Sequence, residues 1–322
     1  MKKIIVVGLG NVGFTYVNIA IARGIQAQWV FVDKNEETSE AHIHDFQDMV
    51  SIMPKNGSTF KKGTLLEDSA DADVVVITAS IPADKTFSDR LSLAGANAKL
   101  MKSFTSDLDK AGFKGVVVVA ANPCDVMAAA VHYGSKIPAN RVISTGTILD
   151  SSRFRKLLAK RLNISPDSVY GSVLAEHGSS CMIPWSLVKV GETSFNDLVA
   201  SGVININELE EFRQSVINEA FYIFSRKGNT QFGIGTSLYE ITDAIINNKR
   251  CVMTVGVKLP KGYDYEGIYL SIPVIVGENG YEYLNQKPSM TNEEWEIFNK
   301  SSKSLAEVHT SALSMIGIDK KF

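Results

Sequence analysis

Apolar, β-branched runs recur through the first half of the chain, and helix-period stretches fill the gaps between them. "KIIVVG", "QWVFVD", "ADVVVITA", "GVVVVAA" and "RVISTG" read as strands, with helices predicted over 12–23, 36–50, 89–111 and 123–134. The strand runs are continuously apolar, so both of their faces are buried, and the long crossovers between them imply parallel pairing. The prediction is an α/β fold built on a doubly wound parallel sheet. Its ligand belongs beyond the carboxyl ends of the strands, where the loops after residues 7, 33, 79, 121 and 146 converge. From about residue 147 the pattern changes to long helices over 149–162, 206–227, 231–247 and 291–316, separated by "CVMTVGV" and "GIYLSIPVIVG". This predicts a mixed α+β second domain, with the division at 1–146 and 147–322. No proline-rich or serine-rich linker, repeat or low-complexity segment separates the halves, so an extensive interface with a cleft between them is expected.

The first strand runs into "GLGNVG", residues 8–13. Gly8 allows a tight turn, Gly10 lets backbone approach a pyrophosphate, and Gly13 lets the next helix lie close to the strand. Gly8, Gly10, Asn11, Val12 and Gly13 thereby form a candidate phosphate cradle, with the N–H groups of the helix start facing the phosphates. Glycine turns after strands are common, and this spacing alone is weak. The context strengthens it: twenty residues after Gly13 the second strand ends in Asp33, placed to accept hydrogen bonds from both hydroxyls of an adenosine ribose. A 2′-phosphate would meet that carboxylate, which favours NAD over NADP. The first half then reads as a Rossmann dinucleotide-binding unit.

Composition narrows the partner further. Lysine and arginine number 33 against 35 acidic residues, a net charge of −2 over 322 residues, so there is no electrostatic footprint for nucleic acid or an anionic membrane. No apolar run approaches the roughly 20 residues of a membrane span. "MKKIIVV" opens like a signal peptide, but Gly8, Gly10 and Asn11 interrupt it, and a cytoplasmic location is expected. The three cysteines, Cys124, Cys181 and Cys251, are widely spaced in apolar surroundings, which suits buried thiols in a reducing compartment. His42 and His44 lie two apart on a predicted helix and face different ways, so no metal site is expected. His132 and His309 read as structural.

A small-molecule hydride transfer needs a proton donor or acceptor and a cation to hold an anionic substrate. "TGTILDSSRFR" (145–155) starts a helix that sets Asp150 and Arg153 on one face, and "LAEHGSS" (174–180) brings His177 at a predicted strand end. Together with "GLGNVG", "ANP" at 121–123 and "IYLSIPVIVGENG", these motifs resemble the L-lactate/malate dehydrogenase family over essentially the whole chain. The likeness is nearest to the L-lactate and L-2-hydroxyisocaproate branch.

The resemblance implies an NAD-dependent L-2-hydroxyacid dehydrogenase acting between NADH and a small 2-oxoacid. It makes His177 the proton donor and acceptor, Asp150 the residue that holds its ring, and Arg153 the grip on the substrate carboxylate. Arg90 matches the arginine of a mobile active-site loop, Asn122 contacts substrate and nicotinamide, and Thr230 faces the substrate. Ser80, Ile81 and Thr145 match positions that line the cofactor. "AHIHDFQDMV" (41–50) resembles a helix packed across a two-fold axis, which implies a homodimer or homotetramer.

The sequence departs from the family between Pro82 and Arg90. Ala83, followed by Asp84, stands where lactate enzymes carry glutamine and malate enzymes arginine; the small Ala83 with Phe87, and Asp84 repelling a dicarboxylate, favour a bulky aliphatic 2-oxoacid, whereas Lys85 argues for a second carboxylate. Malate dehydrogenase is the enzymatic alternative, and an NAD-sensing homologue without turnover the non-enzymatic one. Arg155 matches half of a fructose 1,6-bisphosphate site, but Tyr170 replaces its histidine, so little activation is expected.

Overall fold

The computed structural model describes residues 1–53, 55–81 and 90–322, with the backbone alone at 90–92. In the first half, β1 (Lys2–Val7), α1 (Asn11–Ala22), β2 (Ala27–Val32), α2 (Glu36–Ser51), β3 (Thr59–Lys62), α3 (Leu65–Asp68) and β4 (Val74–Ile77) are followed by α4 (Arg90–Ala111), β5 (Val116–Val119), α5 (Cys124–Tyr133) and β6 (Val142–Ser144). All six strands pair in parallel, in the order β3-β2-β1-β4-β5-β6. Val74–Ile77 and Val116–Val119 are fully buried, as the unbroken apolar runs require for strands covered by helices on both faces. The order reverses direction between β1 and β4, which opens a crevice at their carboxyl ends.

One strand was not anticipated. β3 reads "TFKK" with only Phe60 partly covered, and an edge strand of this kind carries no apolar run to betray it. Its register is set by pairing with β2 from Gln28↔Thr59 to Phe31↔Lys62.

The second half contains α6 (Ile148–Leu162), β7 (Val169–Tyr170), β8 (Lys189–Val190), β9 (Thr193–Ser194), α7 (Phe195–Ala200), α8 (Leu209–Lys227), α9 (Phe232–Ile246), β10 (Cys251–Lys258), β11 (Tyr269–Gly277), β12 (Gly280–Tyr283) and α10 (Asn292–Ser314). β10, β11 and β12 are antiparallel and extend the first sheet past β6, giving nine strands in one sheet. The join is the pair Gly256↔Ser144. A Cβ on Gly256 would lie 1.9 Å from Ser144 Oγ and 2.0 Å from Asp125 Oδ1, so only glycine lets β10 close on β6 there.

α1 and α9 pack together across the halves. Tyr16 Oη donates to Thr242 Oγ1 at 2.9 Å inside that contact. β7, β8 and β9 form a separate three-stranded sheet, over a second apolar cluster that includes Phe154, Leu158, Val173, Phe195 and Val216.

Candidate active site

The glycine turn does three different jobs. Gly8 has φ +93°, and a Cβ there would sit 2.6 Å from the Ala79 amide nitrogen. A Cβ on Gly13 would lie 2.0 Å from the Gly8 carbonyl oxygen, so the first turn of α1 can rest on the strand end only without a side chain. Around Gly10, by contrast, an added Cβ would meet nothing within 4 Å. That open space lies at the start of α1, where no side chain caps the helix and the N–H groups remain directed outward. The geometry fits a pyrophosphate at Gly10, Asn11 and Val12.

Asp33 closes the turn. Its Oδ2 accepts the Leu9 N–H at 2.6 Å and its Oδ1 the Asn35 N–H at 2.9 Å. The carboxylate is half-buried and each oxygen keeps a free lone-pair direction, so ribose hydroxyls can still be bound. The observed bonds add a structural role that spacing alone does not reveal.

Ser80 and Ile81 follow β4, Asn122 follows β5 and Thr145 follows β6, all at the same end of the parallel strands. Asn97, a residue sequence reasoning missed, ties two of these loops together. Its Oδ1 accepts the Ile81 N–H at 2.7 Å and its Nδ2 donates to the Asn122 carbonyl at 3.1 Å, while the residue itself is buried on α4. Asn122 precedes a cis peptide bond to Pro123 and is exposed. Thr145 is buried, with its N–H bonded to Val119.

His177 lies in a turn just after two isolated bridges, Leu174↔Met182 and Ala175↔Ser271, and so stands beyond the strand end where it was expected. Its Nδ1 is 2.5 Å from Asp150 Oδ2. Asp150 Oδ1 accepts from Arg153 Nη1 at 3.1 Å. Asp150 and Arg153 are buried and the His177 ring is about one-third exposed. Burial alone would lower the histidine pKa, but the attraction and hydrogen bond of Asp150, with help from Asp125, leave it raised above its ordinary value. Burial also opposes the Asp150 charge, yet His177 and Arg153 together hold its carboxyl below the usual range. Because Nδ1 is engaged, Nε2 is the nitrogen left for substrate.

Behind this pair is a second carboxylate that motif reading did not find. Asp125, on α5 and nearly inaccessible, accepts Ser144 Oγ at 2.5 Å and the His177 backbone N–H at 3.4 Å. Burial pushes its pKa up to about 6. Beside it, Glu176 Oε2 accepts Ser180 Oγ at 2.5 Å, and Ser180 Oγ is 2.7 Å from Ser301 Oγ of α10, so the turn carrying His177 is tied to the last helix. Only the pairing of distant segments exposes these contacts.

Arg153 also lines a cavity of about 260 Å³ between α6, α8 and α9, and Thr230 lines the same cavity. Arg90 is the first residue of α4, and its side chain lies outside the described residues, as do Pro82, Ala83, Asp84, Lys85 and Phe87. Arg155 Nη1 donates to the Gly171 carbonyl at 3.3 Å, and Tyr170 is exposed.

The remaining candidates fall elsewhere. His42 stacks on Phe14 with ring centroids 5.3 Å apart. His309 is fully buried between the Leu305 carbonyl and the Tyr269 N–H, and His132 Nδ1 meets the Ile137 carbonyl. Cys124 and Cys181 are buried, but Cys251, the first residue of β10, is only half-buried, contrary to the expectation of a buried thiol. Among the described residues no helix is long and apolar enough to cross a membrane, and no three metal-ligating side chains converge.

Comparison with known proteins places these features in context. The family model described as the lactate/malate dehydrogenase NAD binding domain matches residues 2–144, and the one for the lactate/malate dehydrogenase alpha/beta C-terminal domain matches residues 147–315. The chain is 40% identical over 322 residues to the L-lactate dehydrogenase of Mycoplasmoides gallisepticum, covering 98% of this chain and 99% of that protein. It is 33% identical over 305 residues to that of Mycoplasmopsis pulmonis, covering 95% and 96% respectively. Among solved structures, the minor L-lactate dehydrogenase from Enterococcus mundtii superimposes with a TM-score of 0.92 at 33% identity, covering 96% of this chain and 98% of that one. MGS-M5, a lactate dehydrogenase from a deep-sea metagenome library, gives 0.90 at 29% identity, covering 98% and 99%.

Proposed function

The chain belongs to the lactate/malate dehydrogenase family, and from that premise we propose that His177, Asp150 and Arg153 perform a reversible, NAD-linked interconversion of a 2-oxoacid and its L-2-hydroxyacid. The activity is that of a lactate-type, NAD-dependent oxidoreductase on a Rossmann fold. Residues 1–146 serve the dinucleotide and 147–322 the substrate. The observation that carries the residue assignment is the buried contact of Asp150 Oδ2 with His177 Nδ1 at 2.5 Å, with Arg153 on the other oxygen of the same carboxylate.

The division of labour follows from charge and geometry. Gly8, Gly10, Asn11, Val12, Gly13, Asp33, Ser80, Ile81, Asn122 and Thr145 would hold NAD along the strand ends. The chemistry supplied by a bound nicotinamide is hydride transfer at the substrate's C2. Arg153 fixes the substrate carboxylate with a forked contact that an ammonium cannot copy. His177, kept protonated by Asp150, donates its Nε2 proton to the substrate oxygen in reduction and takes it back in oxidation. Arg90 polarises the carbonyl, and Asn122 and Thr230 orient the substrate.

The substrate is a small monocarboxylic 2-oxoacid, with an aliphatic tail of the 2-oxoisocaproate kind accommodated by Ala83 and Phe87. Arg155 without a histidine at Tyr170 gives little response to fructose 1,6-bisphosphate. The protein works in the cytoplasm as a homodimer or homotetramer; in the single chain α2 buries only Ser39 and Phe46 and leaves much of its surface for a partner. NADH absorbance followed with pyruvate, 2-oxoisocaproate and oxaloacetate side by side tests the reading. The monocarboxylates are expected to lead, and preferred turnover of oxaloacetate would overturn it. NADH binding with no turnover of any would favour a sensor.

A further inference from the structure

Asn97 interrupts an apolar stretch of α4. Ala94, Ala98 and Met101 surround it at helical spacing and are buried, and Asn97 itself is only 1% exposed. An amide in such a position must find partners for both its ends, and Asn97 finds them outside its own helix. The hydrogen-bond ladder between β4 and β5 ends where the Ala120 N–H donates to the Ile77 carbonyl at 2.9 Å. Beyond that bond the two chains part into the loops that carry Ser80, Ile81 and Asn122. Asn97 bridges the gap: the Ile81 N–H donates to its Oδ1 at 2.7 Å, and its Nδ2 donates to the Asn122 carbonyl at 3.1 Å. One acceptor and one donor are what a peptide unit offers a ladder, so this amide serves as a detached rung between the two strand ends.

The segment it holds leads to His177. Three residues after Asn122, Asp125 accepts the His177 backbone N–H at 3.4 Å and Ser144 Oγ at 2.5 Å. Asn122 is exposed whereas Asn97 is buried, so Asn97 supports the Asn122 backbone from the protein interior. We propose that Asn97 is a positioning residue for the reaction, setting Asn122 for its work on nicotinamide and substrate while touching neither. The proposal rests on the role given to Asn122 above. Without the amide, the Ile81 N–H and the Asn122 carbonyl would turn to water, and the Asn122 side chain would lose its fixed bearing. Misplacing a group by about 1 Å at a reacting centre costs up to about a hundredfold in rate.

The test is a cycle of Asn97→Ala, Asn122→Ala and the double variant, with unfolding midpoints confirming that each is folded. Asn97→Ala is expected to lower kcat/KM for pyruvate by about 10- to 100-fold and to weaken NADH binding. ADP-ribose, which can reach the glycine turn and Asp33 but carries no nicotinamide, should bind as it does to the native chain. In the Asn122→Ala background the same change should cost less than about threefold, because the residue it positions is already gone. Asn97→Asp keeps the acceptor for Ile81 and loses the amide donor for Asn122, and carries the same test where the alanine variant does not fold. Native turnover in the Asn97 variant, equal loss of ADP-ribose and NADH binding, or additive losses across the cycle would each overturn the proposal while leaving the dehydrogenase reading intact. If the native chain oxidises NADH with no 2-oxoacid, that reading fails first and the proposal with it.

Discussion

Replacing Asp150 by asparagine is the sharpest perturbation of the catalytic pair, because it keeps size while removing the charge and turning one of the two acceptor oxygens into a donor. The native carboxylate is 2.5 Å from His177 Nδ1 and buried, with solvent unable to replace it. Two unit charges about 4 Å apart attract by about 4 kcal/mol at an effective dielectric constant of about 20. Arg153, which also leans on Asp150 at 3.1 Å, is left buried without its partner and adds repulsion to any charge on the imidazole. Both effects remove stabilisation from the protonated ring. Since each 1.4 kcal/mol is roughly tenfold in rate, kcat/KM for oxoacid reduction near neutral pH should fall by about 10²–10³-fold.

The pH dependence carries the sign. In the native chain the histidine pKa is raised, so reduction persists up to that raised value and declines as pH increases through it. In Asp150→Asn the decline moves to lower pH. Steady-state NADH oxidation with pyruvate from about pH 5 to 9, alongside NADH binding by fluorescence, measures both. A variant that binds NADH normally and reduces pyruvate with the native rate and profile would refute the electrostatic reasoning.

Two further substitutions test the site's frame. Gly13→Ala drives a Cβ to 2.0 Å from the Gly8 carbonyl and should lower stability by about 1–3 kcal/mol, whereas Gly10→Ala meets nothing and should spare the thermal midpoint while weakening NADH binding; equal unfolding temperatures for the two would contradict the packing assignment. Asp125, its pKa raised by burial to about 6, contributes stability that is full below the ordinary carboxylate range and is lost as pH rises through 6. Asp125→Asn escapes that loss, so its melting temperature relative to the native chain should improve between about pH 4 and 6 and level off above, and the reduction profile should shift to lower pH because Asp125 helps hold the His177 charge; a pH-independent difference would refute the linkage.

The parallel strands were legible because burial on both faces leaves an unbroken apolar signature, as at Val74–Ile77 and Val116–Val119. The glycine turn was legible because each missing side chain answers a specific steric or ligand demand. Edge strand β3 was not, since one covered phenylalanine among exposed residues carries no periodic signal. Nor was the joining of β10 to β6, which depends on Gly256 meeting Ser144 across more than a hundred residues of chain. The same limit hid Asn97 and Asp125. Their neighbours come from separate elements, and a pattern along the chain reports faces, not partners. His177 and Asp150 were found through motif resemblance, and their mutual distance is a product of the fold.

The most direct measurement is a single turnover: NADH is bound first, pyruvate is added rapidly, and oxidation is followed in the native chain and in His177→Ala. The expected result is NADH binding retained and oxidation slowed by about 10²–10⁴-fold, the usual worth of a positioned general acid. Oxidation at the native rate without the imidazole would contradict the role of His177, however close its ring lies to Asp150.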